Sequence, residues 1–203
     1  VLAFDPSRTS PDQIPSRWEE LARPEIALHT AIANPLFGTT RGHVAAMFAL
    51  WGKERGKNYL TQLRDGRALI LDGNSATVRA VMDGRARFAM TDSDDVWAAR
   101  RSGATLDSKM LDMGDGGTLL IPCSVALIKG GPHHDAAKKL VDFLVSVEVE
   151  RLLAQSESRN IPVRESLRHE LNVSWPAESK INFEKIMESL DPSEAAVREI
   201  LIR

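Results

Sequence analysis

Asn34-Pro35-Leu36-Phe37-Gly38-Thr39-Thr40 stands between an apolar run over residues 26–32 and a stripe of Val44, Met47, Phe48 and Trp51. The stripe has the i, i+3, i+4, i+7 spacing of one helical face, so the segment reads as strand, polar turn and amphipathic helix. Two further units repeat the plan. In the second, residues 69–71 lead through Asp72-Gly73-Asn74-Ser75 to a helix carrying Val78, Val81 and Met82. In the third, residues 86–90 lead through Thr91-Asp92-Ser93-Asp94-Asp95 to a helix carrying Val96 and Trp97. Strands alternating with helices imply βαβ crossovers, hence an α/β chain with a mainly parallel sheet flanked by helices on both faces.

Outward from these units the pattern is more varied. Residues 2–4 read as a short strand stopped by Asp5-Pro6, and residues 16–21 as one or two helical turns after Pro15. An extra helix over residues 57–64 lies between the first two units, and a strand over residues 106–113 runs to the turn Asp115-Gly116-Gly117. Residues 118–129 form a long apolar run broken by Pro122 and flanked by glycines, which suits a strand leaving one sheet for another. The expectation is that strands 2–4 and 125–128 lie side by side as two crossings. The remainder is helical, with stripes at Ala137, Leu140, Val141 and Leu144, then at Val149, Leu152 and Leu153. Phe183, Ile186, Met187 and Leu190 make a third stripe, and Val197, Ile200 and Leu201 lie on a last helix.

Composition narrows the function classes. The 203 residues carry 43% apolar and 27% charged side chains, and no apolar run approaches the roughly 18 residues of a membrane span. Basic residues number 26 and acidic residues 28, interleaved, which argues against a nucleic-acid partner. The single cysteine, Cys123, excludes an internal disulfide and reads as a small core residue in an apolar strand. The chain opens at Val1 without Met, basic leader or signal-peptide core, and so reads as a processed product or a fragment.

In a parallel α/β sheet, ligands sit beyond the carboxyl ends of the strands, where helix N-termini converge. Gly38, Thr39 and Thr40 offer backbone N–H groups, hydroxyls and a positive helix end to an oxyanion, and Asn74 and Ser75 offer the same. The plainer reading of each loop is a helix cap, the usual work of Ser, Thr and Asn there. The third loop differs, with Asp92, Asp94 and Asp95 inside four residues; first-turn acids suit a helix dipole, and they also suit a cation or a positively charged ligand. The spacing lacks the glycine and terminal Glu of a calcium loop, so any metal is left unassigned. His133-His134-Asp135 reads as a solvated helix start, and His43 as a structural residue within reach of the Thr39-Thr40 turn. No hydrolase elbow, Walker loop, HExxH or dinucleotide fingerprint is present, so the sequence carries no positive signal for an enzyme.

Residues 31–40, Ala-Ile-Ala-Asn-Pro-Leu-Phe-Gly-Thr-Thr, and residues 88–95, Phe-Ala-Met-Thr-Asp-Ser-Asp-Asp, resemble the second lobe of periplasmic solute-binding proteins of the ferric-iron ABC-importer type. The run Ile-Pro-Cys-Ser-Val-Ala-Leu-Ile-Lys-Gly at 121–130, the helix over 136–144 and Ser146-Val147-Glu148 are similar to that family's return to its first lobe, and Trp18-Glu19-Glu20-Leu21 to its turn after the first crossing. The resemblance covers residues 1–165. It implies a two-lobed type II fold divided here as hinge crossing 1–24, ligand-binding lobe 25–117, and return crossing with C-terminal helices of an incomplete first lobe over 118–203.

It also implies a periplasmic receptor that captures a small solute for a membrane permease without chemistry and without a cofactor proper. The solute would be a ferric ion or ferric complex, another metal, or a small anion or zwitterion. The implied contacts are Gly38, Thr39, Thr40, Asn74, Ser75, Asp92, Ser93 and Asp94, with Arg41 beside them. The chain departs from iron-binding members, which often place adjacent tyrosines where Asp94-Asp95 stand here; the one tyrosine, Tyr59, falls in an amphipathic helix. Two alternatives stay open: a repurposed sensor or interaction domain, and a hydrolase or lyase using Asp92 or Asp94 as base.

Overall fold

The computed structural model describes residues 1–202. The chain divides into two compact units, one of Val1–Leu120 together with the stretch from Pro176 onward, the other of Ile121–Trp175. The strands are β1 (Leu2–Phe4), β2 (Thr30–Ala33), β3 (Leu69–Leu71), β4 (Phe88–Met90) and β5 (Asp107–Lys109). The helices are α1 (Pro24–Ala27), α2 (Gly38–Trp51), α3 (Lys53–Asp65), α4 (Asn74–Met82), α5 (Ser93–Arg101), α6 (His134–Leu144), α7 (Val147–Gln155), α8 (Glu165–Leu171) and α9 (Phe183–Ile200).

The first unit is built on one five-stranded sheet in the order β3-β2-β4-β1-β5. β2 runs parallel to β3 and β4, whereas β1 runs antiparallel to both β4 and β5. All strands except β1 therefore share one direction. Successive side chains of a strand point to opposite faces, and here they sort by size. Leu2, Phe4, Ile32, Phe88 and Met90 join the core with Val44, Met47 and Phe48 of α2, Leu60 and Leu63 of α3 and Val197 and Ile200 of α9. Ala3, Ala31 and Ala89 face the other way, onto Val78 and Val81 of α4 and Val96 of α5. Helices cover both faces, as the alternation of strands and helices predicts, and the alanine face holds α4 close against the strands.

Several elements differ from their sequence reading. The apolar run over 26–32 does not form one strand: Pro24 starts the short α1, Thr30 then donates its hydroxyl to the Ile26 carbonyl at 2.9 Å, and the strand begins only at Thr30. The strand expected over 106–113 is reduced to the edge strand β5. Beyond it Leu111 and Met113 are buried in the core while Asp112 holds the backbone amides of Gly114 and Gly116. The helix expected over 57–64 is longer, and the two C-terminal stripes lie on the single helix α9, with Pro192 inside it.

Residues 118–129 do not form a strand. Thr118 alone makes a bridge, to Glu178, where a Cβ on the neighbouring Gly117 would lie 2.3 Å from the Glu178 backbone. Leu119 and Leu120 are half-buried, residues 121–129 are exposed and outside any strand, and Pro122 is unable to donate to a ladder. The neighbours of β1 are accordingly β4 and β5, not residues 125–128, and Cys123 is exposed instead of lying in a core. Within the sheet unit, α9 packs on α2 and α3.

The second unit is small and mostly helical. Ser146 caps α7 by accepting from the Val149 amide at 3.3 Å, and Glu150 takes both the backbone amide and the guanidinium of Arg164. The Arg168 guanidinium lies over the Trp175 ring, 4.4 Å from its centroid. Leu167 is buried, while Leu140, Phe143, Leu144, Leu152 and Leu153 on α6 and α7 are exposed.

Candidate ligand-binding site

The carboxyl ends of β2, β3 and β4 each turn into a helix, and the turns meet. Phe37 precedes α2 in extended conformation and Gly38 adopts φ +57°, a left-handed value that glycine accepts without strain. A Cβ there would meet nothing, so the backbone angle and not space favours glycine. The next residue, Thr39, donates its hydroxyl to Asp92 Oδ2 at 2.7 Å. Asn74, which opens α4, donates through Nδ2 to the same oxygen at 2.7 Å and to Thr39 Oγ1 at 3.1 Å. Thr40, buried, donates to Asn74 Oδ1 at 3.4 Å.

Asp92 is thus the hub. It stands at the N-cap of α5 yet makes no side-chain bond to its own helix; its hydrogen-bond partners Thr39 and Asn74 come from the other two turns. Asp92, Asp94 and Asp95 each bring a carboxylate oxygen within 4.8 Å of the others, the one such acidic group among the described residues. Asp94 is exposed and the other two half-buried. Thr91 donates to Asp95 at 3.4 Å. Burial, then the nearby charges of Asp94 and Asp92, push the Asp95 carboxyl up to about 6.

Of the residues singled out in the sequence, Thr39, Thr40, Asn74 and Asp92 are joined by hydrogen bonds, and Asp94 lies with Asp92 in the carboxylate group. Gly38 and Ser93 occupy the first positions of α2 and α5, and Ser75 is exposed in the first turn of α4. Arg41 turns away: its guanidinium binds Glu194 of α9 at 3.0 Å. Arg198 and then Arg41 hold the Glu194 carboxyl below the usual range. Asp95 is the member that sequence reasoning left out of the contact set, although its place beside Asp94 was the signal.

The remaining candidates fall elsewhere. His43 is buried edge-on against Trp18, ring centroids 4.5 Å apart, and burial pushes it down to about 3, so it is a neutral core residue. His134 and Asp135 are exposed at the start of α6, as a solvated helix start should be. Tyr59 is buried in α3, its hydroxyl pushed upward by burial, and offers no phenolate to the carboxylates.

The sequence matches the family of bacterial extracellular solute-binding proteins over residues 1–156. The chain belongs to that family. No curated protein matches it. Among solved structures, this solute-binding protein is similar to the ferric binding protein from Campylobacter jejuni, with a TM-score of 0.83 and 18% identity over 99% of this chain and 67% of that one. It is similar to apo ferric ion-binding protein A of Pasteurella haemolytica, with 0.82 and 19% over 98% and 66%. A third likeness is to the periplasmic binding protein AfuA from Actinobacillus pleuropneumoniae with fructose-6-phosphate bound, with 0.70 and 18% over 98% and 63%. At these identities the likeness is one of fold, the type II periplasmic-binding-protein architecture, and the chain spans about two thirds of each relative's length.

Proposed function

We propose that this chain is the ligand-gripping part of a periplasmic receptor that delivers a small solute to the permease of an ABC importer. The observation that carries the reading is the meeting of three helix N-termini through the Thr39, Asn74 and Asp92 side chains. Amide N–H groups of the first helical turns remain for an anionic part of the solute. The side chains supply the opposite charge: Asp92 has already taken the Thr39 and Asn74 donors, Arg41 is committed to Glu194, and the exposed Asp94 stands beside half-buried Asp92 and Asp95 with no lysine or arginine paired to any of the three. A solute bearing positive charge fits this balance, as a ferric ion or ferric complex, another metal ion as cargo, or a zwitterion.

Mass spectrometry under native conditions and metal analysis of the full-length protein, purified without added solute, test the reading. The expected result is one small solute per chain, retained through purification and exchangeable without turnover. Conversion of that solute to a product would favour a carboxylate-based enzyme. Absence of any solute, together with no calorimetric response to ferric chelates, amino acids or phosphonates, would remove the transport reading.

A further inference from the structure

Arginine in this protein is nearly always committed. Among the described residues, every arginine has a carboxylate, carbonyl, ring or other partner except Arg67, Arg79 and Arg87. All three stand toward the end of the sheet opposite the candidate ligand site, Arg67 and Arg87 just before β3 and β4 and Arg79 near the end of α4. The β2–β3 and β2–β4 registers pair Ala31 with Leu69 and Thr30 with Phe88. Arg67, His29 and Arg87 stand in the turns that precede β3, β2 and β4, a row of three neighbouring strand starts. The Arg87 amide donates to the His29 carbonyl at 2.8 Å, which ties two of these turns together. Arg79 occupies the last turn of α4, whose opposite end carries Asn74.

The neighbouring acids do not neutralise the row. Asp5, Asp65 and Asp83 are bound by Arg8, Arg64 and Arg85. Glu25, on the short α1, makes no bond to it and leaves the edge with a positive excess. Two features single it out further. Arg67 holds φ at 59°, a left-handed conformation costly for a residue with a Cβ, at a turn where glycine would be relaxed. Leu28, 51% exposed, and Met82, 41% exposed, stand beside His29 and at the end of α4, apolar groups among the guanidinium groups.

We propose that this edge is a docking surface for an anionic phospholipid membrane, where the free guanidinium groups meet headgroup phosphates and Leu28 and Met82 settle at the interface. Guanidinium forks suit phosphate oxygens in pairs, and basic residues near an anionic bilayer add attraction that falls away with salt. A lipid surface fits better than an acidic protein because the two exposed apolar residues there, Leu28 and Met82, do not make the contiguous apolar centre of a protein interface. The surface faces away from the candidate ligand turns, so it would hold the receptor near the bilayer while leaving those turns open.

Co-sedimentation of the full chain with vesicles tests the proposal, using phosphatidylglycerol mixed into phosphatidylcholine against phosphatidylcholine alone. Binding is expected only with the anionic lipid, weakening steeply with added salt. Each arginine is expected to contribute roughly fivefold, so the triple variant R67Q/R79Q/R87Q should bind about a hundredfold more weakly. A control that removes the paired arginines Arg17, Arg23 and Arg55 should bind like the parent. Arg67→Gly separates docking from folding, because it relieves the backbone and should raise the melting temperature while weakening vesicle binding. Failure to bind anionic vesicles, equal losses in the triple variant and the control, or binding to immobilised polyglutamate but not to vesicles would each overturn the proposal.

Discussion

At the scale of single residues, Asp92 and its neighbours divide the work of one acidic turn. Asp92 ties two other turns together, Asp95 is partly withdrawn from water, and Asp94 is exposed with no side-chain hydrogen bond of its own. Asp94 is therefore the member freest to meet a solute, and Asp94→Ala should weaken binding by roughly 1.5 to 3 kcal/mol, the scale of a lost charged hydrogen-bond partner. Thr40→Ala should cost about 1 kcal/mol, through a neutral bond that supports Asn74. Calorimetry with the solute recovered from the full-length protein checks both, and unchanged affinity in Asp94→Ala would reduce the third turn to a helix start. Asp95 makes a separate prediction about pH. Its carboxyl is raised from 3.8 to about 6 in the folded chain, so folding favours the protonated form there. Stability is then greatest below the unfolded value, declines as pH climbs through that interval, and levels off above it. Asp95→Asn should accordingly stabilise the protein at about pH 7.5 by about 1 kcal/mol, discounted for its partial exposure, with the gain vanishing toward about pH 4. Thermal denaturation across that range decides it, since a gain independent of pH would point to another cause.

At the scale of elements, the sheet's two faces make different demands. Ala89 and Ala31 sit fully buried opposite Val78 and Val81, so Ala89→Leu should force α4 outward and cost roughly 1 to 3 kcal/mol. A denaturation midpoint equal to that of the parent would show that α4 has room to move. The helical stripes on α2, α4 and α6 were legible because an amphipathic helix announces its buried face at fixed spacing. The strands β2, β3 and β4 were legible because each short apolar run gives way to a polar turn that opens the next helix. What the sequence could not show is pairing. Nothing in Leu2-Ala3-Phe4 says that its neighbours are β4 and β5, and the apolar residues 118–129, strand-like by composition, lack a ladder partner among the described residues. The Thr39, Asn74 and Asp92 cluster was readable as three turns at one edge, whereas the turning of Arg41 toward Glu194 depends on α9, a long-range packing that no local pattern encodes. The unpaired Arg67, Arg79 and Arg87 are isolated in sequence and come to one end of the sheet only through the tertiary fold.

At the scale of the whole molecule, the two units differ in what they bury. The sheet unit holds both apolar clusters, while in Ile121–Trp175 the apolar faces of α6 and α7 remain exposed and Leu167 is the large buried side chain. Amides in that unit should therefore exchange with deuterium faster than those of β1, β2 and β4, because local opening follows local burial. Hydrogen-exchange mass spectrometry on this chain measures it, and uniform protection across both units would count against the reading. None of the described helices is long and apolar enough to cross a membrane.

The antiparallel placing of β1 has a consequence for the order in which the chain is made. Leu2 pairs with Met90 on one side and Lys109 on the other, so both partners are translated on the order of a hundred residues later. At a synthesis rate of roughly 10 residues per second, that leaves an apolar strand waiting on the order of ten seconds outside the ribosome. β2 and β3 can pair meanwhile through the α2–α3 crossover, before β4 arrives. The sheet is then closed by β1, the earliest made of these five strands, slotted between β4 and β5.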